Sequence, residues 1–164
     1  MPAYAELHCL SNFTFLTGAS HPEELVERAA ALGYRALAIT DECSLAGVVR
    51  AHLAIRKQAL KLELIVGTEI RLAEGPRLVL LAADRGGYGR LSRLITLGRR
   101  RADKGDYRLA MADLADGLPG CLALMLTPRD GLPAAEPLVA AGRWLKGLFG
   151  ERAWLAVAAI TSLP

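Results

Sequence analysis

The chain has 164 residues, of which 52% are hydrophobic and 23% are charged, and its formal net charge is +3. This composition fits one globular domain with a single buried core and excludes a collagen-like or intrinsically disordered chain. The small positive charge permits contact with nucleic acid but does not argue for it.

Short apolar runs alternate with amphipathic segments along the whole chain. In chain order we predict strand Tyr4–Leu7, helix Ser20–Leu32, strand Ala36–Thr40, helix Leu45–Leu60, strands Leu64–Leu72 and Arg77–Ala82, helix Tyr88–Arg101, a short helix or turn Met111–Leu118, strand Cys121–Leu126, helix Glu136–Phe149 and strand Trp154–Ala158. Strands that alternate with helices imply an α/β fold with a largely parallel sheet and outer crossover helices, open or closed into a barrel.

Local signals mark the ends of two of these elements. Ser20 with Glu23 forms a capping-box pattern at the start of the first helix, and Gly33 is placed to end that helix. Residues 74–76 (Glu-Gly-Pro) predict a turn between two strands.

The cysteines and the N-terminus indicate a cellular compartment. Cys9, Cys43 and Cys121 are odd in number, far apart and without CxxC spacing, which fits a reducing cytoplasm better than a disulfide framework. The N-terminus lacks a signal-peptide pattern, and no apolar run is long enough to span a membrane. We therefore expect a cytoplasmic chain with no membrane partner.

Acidic and imidazole side chains stand at or near the ends of the first three predicted strands. His8 follows the first strand, Asp41 and Glu42 follow the second, and Glu69 lies in the third. In a parallel sheet, ligands bind beyond the carboxyl ends of the strands, so these residues could converge on a divalent metal. Such a cluster suits metal-assisted hydrolysis of phosphate esters.

Structural explanations remain open for each of these residues. A single His at the end of a strand is more often a hydrogen-bonding group than a metal ligand. Asp41 could cap the helix that begins near Leu45, and Glu69 could face solvent. The basic run Arg99, Arg100 and Arg101 could contact DNA phosphates, although such a run is more often a solvated helix end.

Several segments together resemble one known family. Residues 6–52 (ELHCLSNFTFLTGASHPEELVERAAALGYRALAITDECSLAGVVRAH) are similar to the start of the PHP (polymerase and histidinol phosphatase) domain of bacterial DNA polymerase III alpha subunits. The form TDECSLAG at residues 40–47 resembles the error-prone, translesion branch. Residues 65–72, 77–102 and 114–125 resemble the following motifs in the same order.

The resemblance implies a distorted (β/α)7 barrel, of which residues 1–164 would be an N-terminal portion. In the family this barrel is fused to a family C polymerase core, a nucleotidyltransferase that copies damaged template, and that core is absent from the chain. In members with an intact metal site the domain resembles a trinuclear phosphoesterase and can act as a proofreading exonuclease.

The chain departs from the intact metal motif. His8, Asp41 and Glu69 match family ligands, but Leu10 and Glu42 replace two expected histidines. Leucine cannot bind a metal, and glutamate is a harder donor than imidazole. The family's later ligands would lie beyond residue 164. We therefore expect at most one weakly bound Zn²⁺, Mn²⁺ or Mg²⁺.

Three functional hypotheses follow. The favoured one is a structural PHP domain of an error-prone DNA polymerase, inactive alone, whose partners are the polymerase core, weakly bound DNA and other translesion-synthesis proteins. The second is a metal-dependent phosphoesterase or proofreading exonuclease. The third, an unrelated α/β binding module, fits the ordered set of motifs poorly.

Overall fold

The computed structural model describes residues 4–127 and 135–157. Its elements are, in chain order, β1 (Ala5–Cys9), α1 (Pro22–Ala31), β2 (Ala36–Ile39), α2 (Ala46–Gln58), β3 (Glu63–Arg71), β4 (Arg77–Ala82), α3 (Arg85–Arg100), a 3₁₀ helix (Met111–Leu114), β5 (Cys121–Leu126), α4 (Ala135–Phe149), a second 3₁₀ helix (Gly150–Arg152) and β6 (Ala153–Ala156). The alternation of strands and helices confirms the predicted α/β class.

The six strands form one mixed sheet in the order of the sequence, curved into a half-barrel. β1, β2 and β3 are parallel to one another, and β6 is parallel to β5. β4 is antiparallel to both of its neighbours, β3 and β5. The carboxyl ends of β1 to β3 and the amino end of β4 therefore share one edge of the sheet.

The sheet is largely parallel as predicted, and β4 is the one strand of the described sheet that runs the opposite way. Only residues 72–76 separate β3 from β4. A parallel crossover needs a dozen or more residues, whereas an antiparallel pair can be joined by a short turn. The Glu-Gly-Pro turn at residues 74–76 was predicted, but its consequence for strand direction was missed.

Two predicted boundaries are also corrected at the start of the chain. β1 continues to Cys9, so His8 lies inside the strand rather than after it. The first helix begins at Pro22, and the Glu24 carboxylate accepts a hydrogen bond from the His21 amide, in place of the predicted pairing of Ser20 with Glu23. Gly33, with φ of 75°, ends this helix as predicted.

The later predicted elements agree with the structure to within a few residues. α3 begins at Arg85, three residues before the predicted start, because Asp84 caps it by accepting a hydrogen bond from the Gly87 amide. The helical part of the predicted segment 111–118 is a single 3₁₀ turn. The last predicted strand, Trp154–Ala158, corresponds to β6 (Ala153–Ala156). Its predicted end, Ala158, lies outside the described residues.

The core is divided by the sheet. One apolar cluster packs α1 and α2 against β2, around Val26 and Ile39, and a second packs α3 and α4 against β4 and β5, around Leu80 and Leu91. A smaller cluster covers the inner, concave face. Within the described residues, no helix has the length and apolarity to cross a membrane.

Candidate functional site

The predicted site residues gather at the edge where β1, β2 and β3 end. His8 is the penultimate residue of β1, Asp41 follows β2, and Glu69 lies near the end of β3. The backbones are tightly joined there, because the Thr40 amide donates to the Cys9 carbonyl and the Glu69 amide donates to the Thr40 carbonyl. Backbone hydrogen bonding from β2 to its two neighbouring strands therefore continues past the end of β2.

Glu69 is the centre of a buried ion-pair cluster. Its side chain is 4% exposed, Oε2 lies 2.7 Å from Nε2 of His8, and Oε1 lies 3.3 Å from Nη1 of Arg77. Arg77 reaches Glu69 because β4 is antiparallel, which puts its first residue at the edge where β3 ends. The interpretation of Glu69 as a solvent-facing residue is therefore wrong.

The Asp41 side chain contacts the loop after β1 and the start of α2. Its carboxylate is buried and accepts three hydrogen bonds, from the Ser11 amide (2.7 Å), the Ser11 hydroxyl (2.7 Å) and the Thr14 hydroxyl (2.8 Å). A Cβ added to Gly47, in the first turn of α2, would lie 2.8 Å from Asp41 Oδ2. Asp41 therefore fastens the loop after β1 to the sheet.

The alternative role of Asp41 as a helix cap is wrong. The N-cap residue of α2 is Leu45, which makes no side-chain capping bond, and the Ala46 amide instead donates a hydrogen bond to the Ser44 hydroxyl oxygen. The buried carboxylate stabilises the adjoining loop rather than the helix end.

Glu42 occupies the position of an expected histidine but faces a different set of partners. Its Oε1 accepts hydrogen bonds from Nε of Arg71 (2.6 Å) and from the hydroxyl of Tyr107 (2.7 Å). Burial and the bond to Glu42 raise the pKa of Tyr107 well above its ordinary value. Glu42 thus joins the segment after α3 to the end of β3.

These residues do not fit a metal centre. The Asp41 oxygens are occupied by the loop, the charge of Glu69 is balanced by Arg77, and Glu42 is turned to Arg71. Leu10 has no donor atom. Among the described residues, no three His, Cys, Asp or Glu side chains are grouped so as to hold a metal ion. The weakly bound ion stays a prediction for which these residues offer no formed site.

Arg99, the first of the three proposed DNA-contacting arginines, is used inside the molecule. Its guanidinium donates to the carbonyls of Glu42 and Cys43 and to two carbonyls of the loop after α3. It also lies over the ring of Tyr107, 5.3 Å from the centroid. These contacts leave Arg99 poorly placed to meet a phosphate.

Arg101 is also paired within the chain, whereas Arg100 is exposed. Nη1 of Arg101 donates to both carboxylate oxygens of Asp113 at 2.8 Å. Burial opposes ionisation of Asp113, but hydrogen bonds from the Ala110 amide and from Arg101 outweigh it and hold the pKa of Asp113 below its ordinary value. DNA contact by the run as a whole stays a prediction.

The cysteines offer no activated nucleophile. Burial raises the pKa of Cys9, Cys43 and Cys121 to about 11. A reactive cysteine needs a lowered pKa and exposure, and Cys43 and Cys121 are fully buried. All three are free thiols.

The comparisons with known proteins identify the family. The PHP domain family matches residues 6–134. The chain belongs to the PHP domain family. An error-prone DNA polymerase from Aromatoleum aromaticum is 64% identical over 94% of the chain, and those from Pseudomonas fluorescens and Dechloromonas aromatica are 60% and 57% identical over 96%. The chain spans only 14–15% of the length of these relatives.

Solved structures with little sequence identity share the PHP-like fold. A proposed metal-dependent phosphoesterase from Bifidobacterium adolescentis has a TM-score of 0.65 at 15% identity, with 94% of this chain and 77% of that chain covered. An amidohydrolase from Chromobacterium violaceum has a TM-score of 0.65 at 17% identity, with 93% and 76% covered. These likenesses show the half-barrel fold alone.

Proposed function

We propose that this chain is the N-terminal PHP domain of an error-prone DNA polymerase, in which it has a structural rather than a catalytic role. The observation that carries the proposal is the pairing of buried Glu69 with Arg77 at the edge where a metal would be held. The 57–64% identity to error-prone DNA polymerases supports the assignment to damage-tolerant DNA synthesis in the cytoplasm.

The chemistry of the ion-pair cluster explains why catalysis is not expected. Two-metal hydrolysis places one ion on the attacking water and one on the leaving oxygen, about 3.5–4 Å apart. A guanidinium is a fixed cation with five N–H donors, and it has no open coordination position at which water could lose a proton. Arg77 can therefore balance the charge of Glu69 but cannot activate water.

The concave face of the half-barrel is the surface best suited to a structural role. A groove of about 1070 Å³ runs along it, lined mainly by apolar side chains of β4, β5 and β6. Trp154, Leu155 and Val157 on its rim are 49%, 48% and 72% exposed. Apolar surface of this kind favours contact with other polypeptide, and we infer that it faces further parts of the polymerase.

The structural role is tested by the response of the chain to metal. We expect the Tm to be unchanged by EDTA and by added Zn²⁺, Mn²⁺ or Mg²⁺, because the buried carboxylates already have protein partners. We also expect no hydrolysis of p-nitrophenyl phosphate or of a 3′-labelled primer. An EDTA-sensitive Tm together with metal-dependent hydrolysis that is lost in His8→Ala would favour the alternative, a phosphoesterase or proofreading exonuclease.

The polymerase assignment is tested by exchange of domains. In the Aromatoleum aromaticum relative, the segment aligned with this chain is replaced by this chain, and primer extension is measured beside a deletion of the same segment. We expect the chimera to extend primers and the deletion to be inactive or insoluble. A soluble chimera without extension would contradict the assignment. Weak DNA contact and contact with other translesion-synthesis proteins are further parts of this proposal.

A further inference from the structure

One face of α3 carries three arginines that the fold does not use. Arg85, Arg93 and Arg100 are exposed. Arg93 comes eight residues after Arg85, and Arg100 comes seven residues after Arg93. At 3.6 residues per turn, seven residues make almost two full turns and eight make about 2.2, so the three arginines lie within about 80° of one another around the helix axis, on one side. The opposite side buries Gly87, Leu91, Leu94 and Gly98 against the core. We name the exposed set of Arg85, Arg93 and Arg100 the arginine face.

The arginine face has no acidic counterpart on its own helix. Residues 85–100 include no Asp or Glu, and none of the three arginines forms an ion pair with another residue in the described part of the chain. The nearest acidic residue at the start of the helix, Asp84, accepts a hydrogen bond from the Gly87 amide. The charge of the arginine face is therefore presented to solvent.

The other basic helix, α2, differs in this respect. It packs on α1, which brings acidic side chains to it: Arg50 forms an ion pair with Glu23 at 2.6 Å, and Gln58 donates to Glu27. Arg56 and Lys57 near the end of α2 are exposed. α2 is therefore a suitable comparison for α3, with similar exposure of basic residues and a different electrostatic setting.

The shape of the arginine face suits an extended polyanion. With a rise of 1.5 Å per residue, the arginines are separated by about 12 Å and about 10 Å along the helix, close to the width of the major groove of DNA. Gly89 and Thr96 lie between them and are exposed, and a Cβ at Gly89 would meet nothing within 4 Å. The low ridge between the arginines leaves room for a phosphate backbone to approach.

We propose that the arginine face binds the phosphate backbone of duplex DNA without reading its sequence. The proposal rests on the proposed function, since a polymerase domain is brought next to primer and template. Arginine suits phosphate because its planar guanidinium can donate two parallel hydrogen bonds. Three neutralised phosphates predict a slope of log K against log salt of about −2.7.

The test is fluorescence anisotropy of the 164-residue chain with a labelled DNA duplex, over a series of salt concentrations. The test variant carries Arg85→Gln, Arg93→Gln and Arg100→Gln. The control variant carries Arg56→Gln, Lys57→Gln and Lys61→Gln, which are exposed and remove the same total charge. Thermal unfolding of both variants checks that the fold is kept.

We expect the slope for the test variant to fall toward zero, because each lost phosphate contact reduces it by about 1. The control variant should keep the slope of the unaltered chain. Equal losses in both variants would overturn the proposal, since binding would then depend on net charge alone, and so would an absence of binding at low salt. Competition by poly-glutamate as strong as by duplex DNA would indicate an acidic protein partner instead and would also overturn it.

These outcomes are separate from those that test the proposed function. The response of Tm to EDTA and the hydrolysis assays depend on His8, Asp41 and Glu69, and none of them lies on α3. Failure of DNA binding would leave the structural role standing. Metal-dependent hydrolysis would remove the structural role without affecting the arginine face.

Discussion

Nη1 of Arg77 lies 3.3 Å from Oε1 of Glu69, a carboxylate that is 4% exposed. The contact exists because β4 returns antiparallel after a five-residue connection, which places its first residue beside the end of β3. His8 completes the cluster from β1 at 2.7 Å. A covalently attached cation thus balances a buried carboxylate that the family motif would assign to a metal.

Arg77→Met is expected to destabilise the chain because it leaves the Glu69 charge buried. Removal of one partner from a buried pair costs about 3–5 kcal/mol, and the 27% exposure of Arg77 lowers our expectation to about 1–3 kcal/mol. Urea unfolding measures the change. The matched control is Arg35→Met, whose pair with Glu63 is 3.8 Å long and about 70% exposed, and which should cost less than about 0.5 kcal/mol.

A double-mutant cycle with Glu69→Gln distinguishes the ion pair from general packing. If Arg77 acts through Glu69, the double variant should lose clearly less free energy of unfolding than the two single variants lose together. The difference, the coupling energy, should be about 1 kcal/mol or more. Additive losses would mean that Arg77 contributes only through its aliphatic stem.

Asp41→Asn should loosen the loop after β1. The amide can still accept hydrogen bonds through one oxygen, but its NH₂ group cannot accept the bond that the Ser11 hydroxyl donates to Oδ2. We expect a loss of about 1–3 kcal/mol, typical of a buried polar group left without its partner. Hydrogen exchange should show faster exchange of the amides of Asn12 and Gly18, both held within this loop. Unchanged protection would show that the loop holds its structure without Asp41.

The sequence was sufficient to predict the α/β class and the positions of the strands and α-helices, because hydrophobic periodicity records which side of an element is buried. Strand direction was harder. Apolar alternation is the same in parallel and antiparallel strands, and only the length of the connection at residues 72–76 carried the information. The reversal of β4 alone was not anticipated, and so the place of Arg77 was not either, since a parallel β4 would have put it at the opposite edge of the sheet.

The candidate site was predicted only as a set of positions. His8, Asp41 and Glu69 were expected at one edge, and the structure places them there, but the direction of each side chain could not be read from sequence. Asp41 faces the loop after β1 because Ser11 and Thr14, distant in sequence, present three donors to it. In the same way, the partner of Glu42 is Tyr107, 65 residues later.

Stability should fall as the pH rises from about 9 to about 11. The pKa of each thiol is raised by burial from 9.0 to about 11 in the folded chain, so the unfolded chain loses these protons first. Stability is therefore fully present below pH 9 and decreases up to the folded pKa, by at most about 1.4 kcal/mol per pH unit for each thiol. Unfolding by urea at several alkaline pH values measures the slope.

The thiol contribution is separated from other alkaline effects by substitution. Cys121→Ala removes one fully buried thiol. The fall of the free energy of unfolding between pH 9 and 11 should then be smaller by the contribution of that one thiol. If Cys121→Ala leaves the dependence of stability on pH unchanged, the alkaline loss of stability comes from other groups, such as Tyr107, whose pKa is also raised.

Leu10→His with Glu42→His, which restores two imidazoles of the family motif, is expected to destabilise the chain without creating a phosphoesterase. Glu42 is 17% exposed and accepts hydrogen bonds from Arg71 and Tyr107, so its replacement leaves both donors without their acceptor, at a cost of about 1–3 kcal/mol. Glu69 would still be paired with Arg77, and Asp41 would still be bonded to the loop after β1. Metal content, Tm and hydrolysis of p-nitrophenyl phosphate are measured for the double variant, with Leu10→His alone as the control that keeps the Glu42 contacts.

We expect a lower Tm in the double variant than in the control, no stoichiometric metal in either and no turnover. Stoichiometric metal in the double variant that is lost on His8→Ala would show that the ion-pair cluster yields to a metal once two imidazoles are supplied, and that Arg77 does not prevent binding.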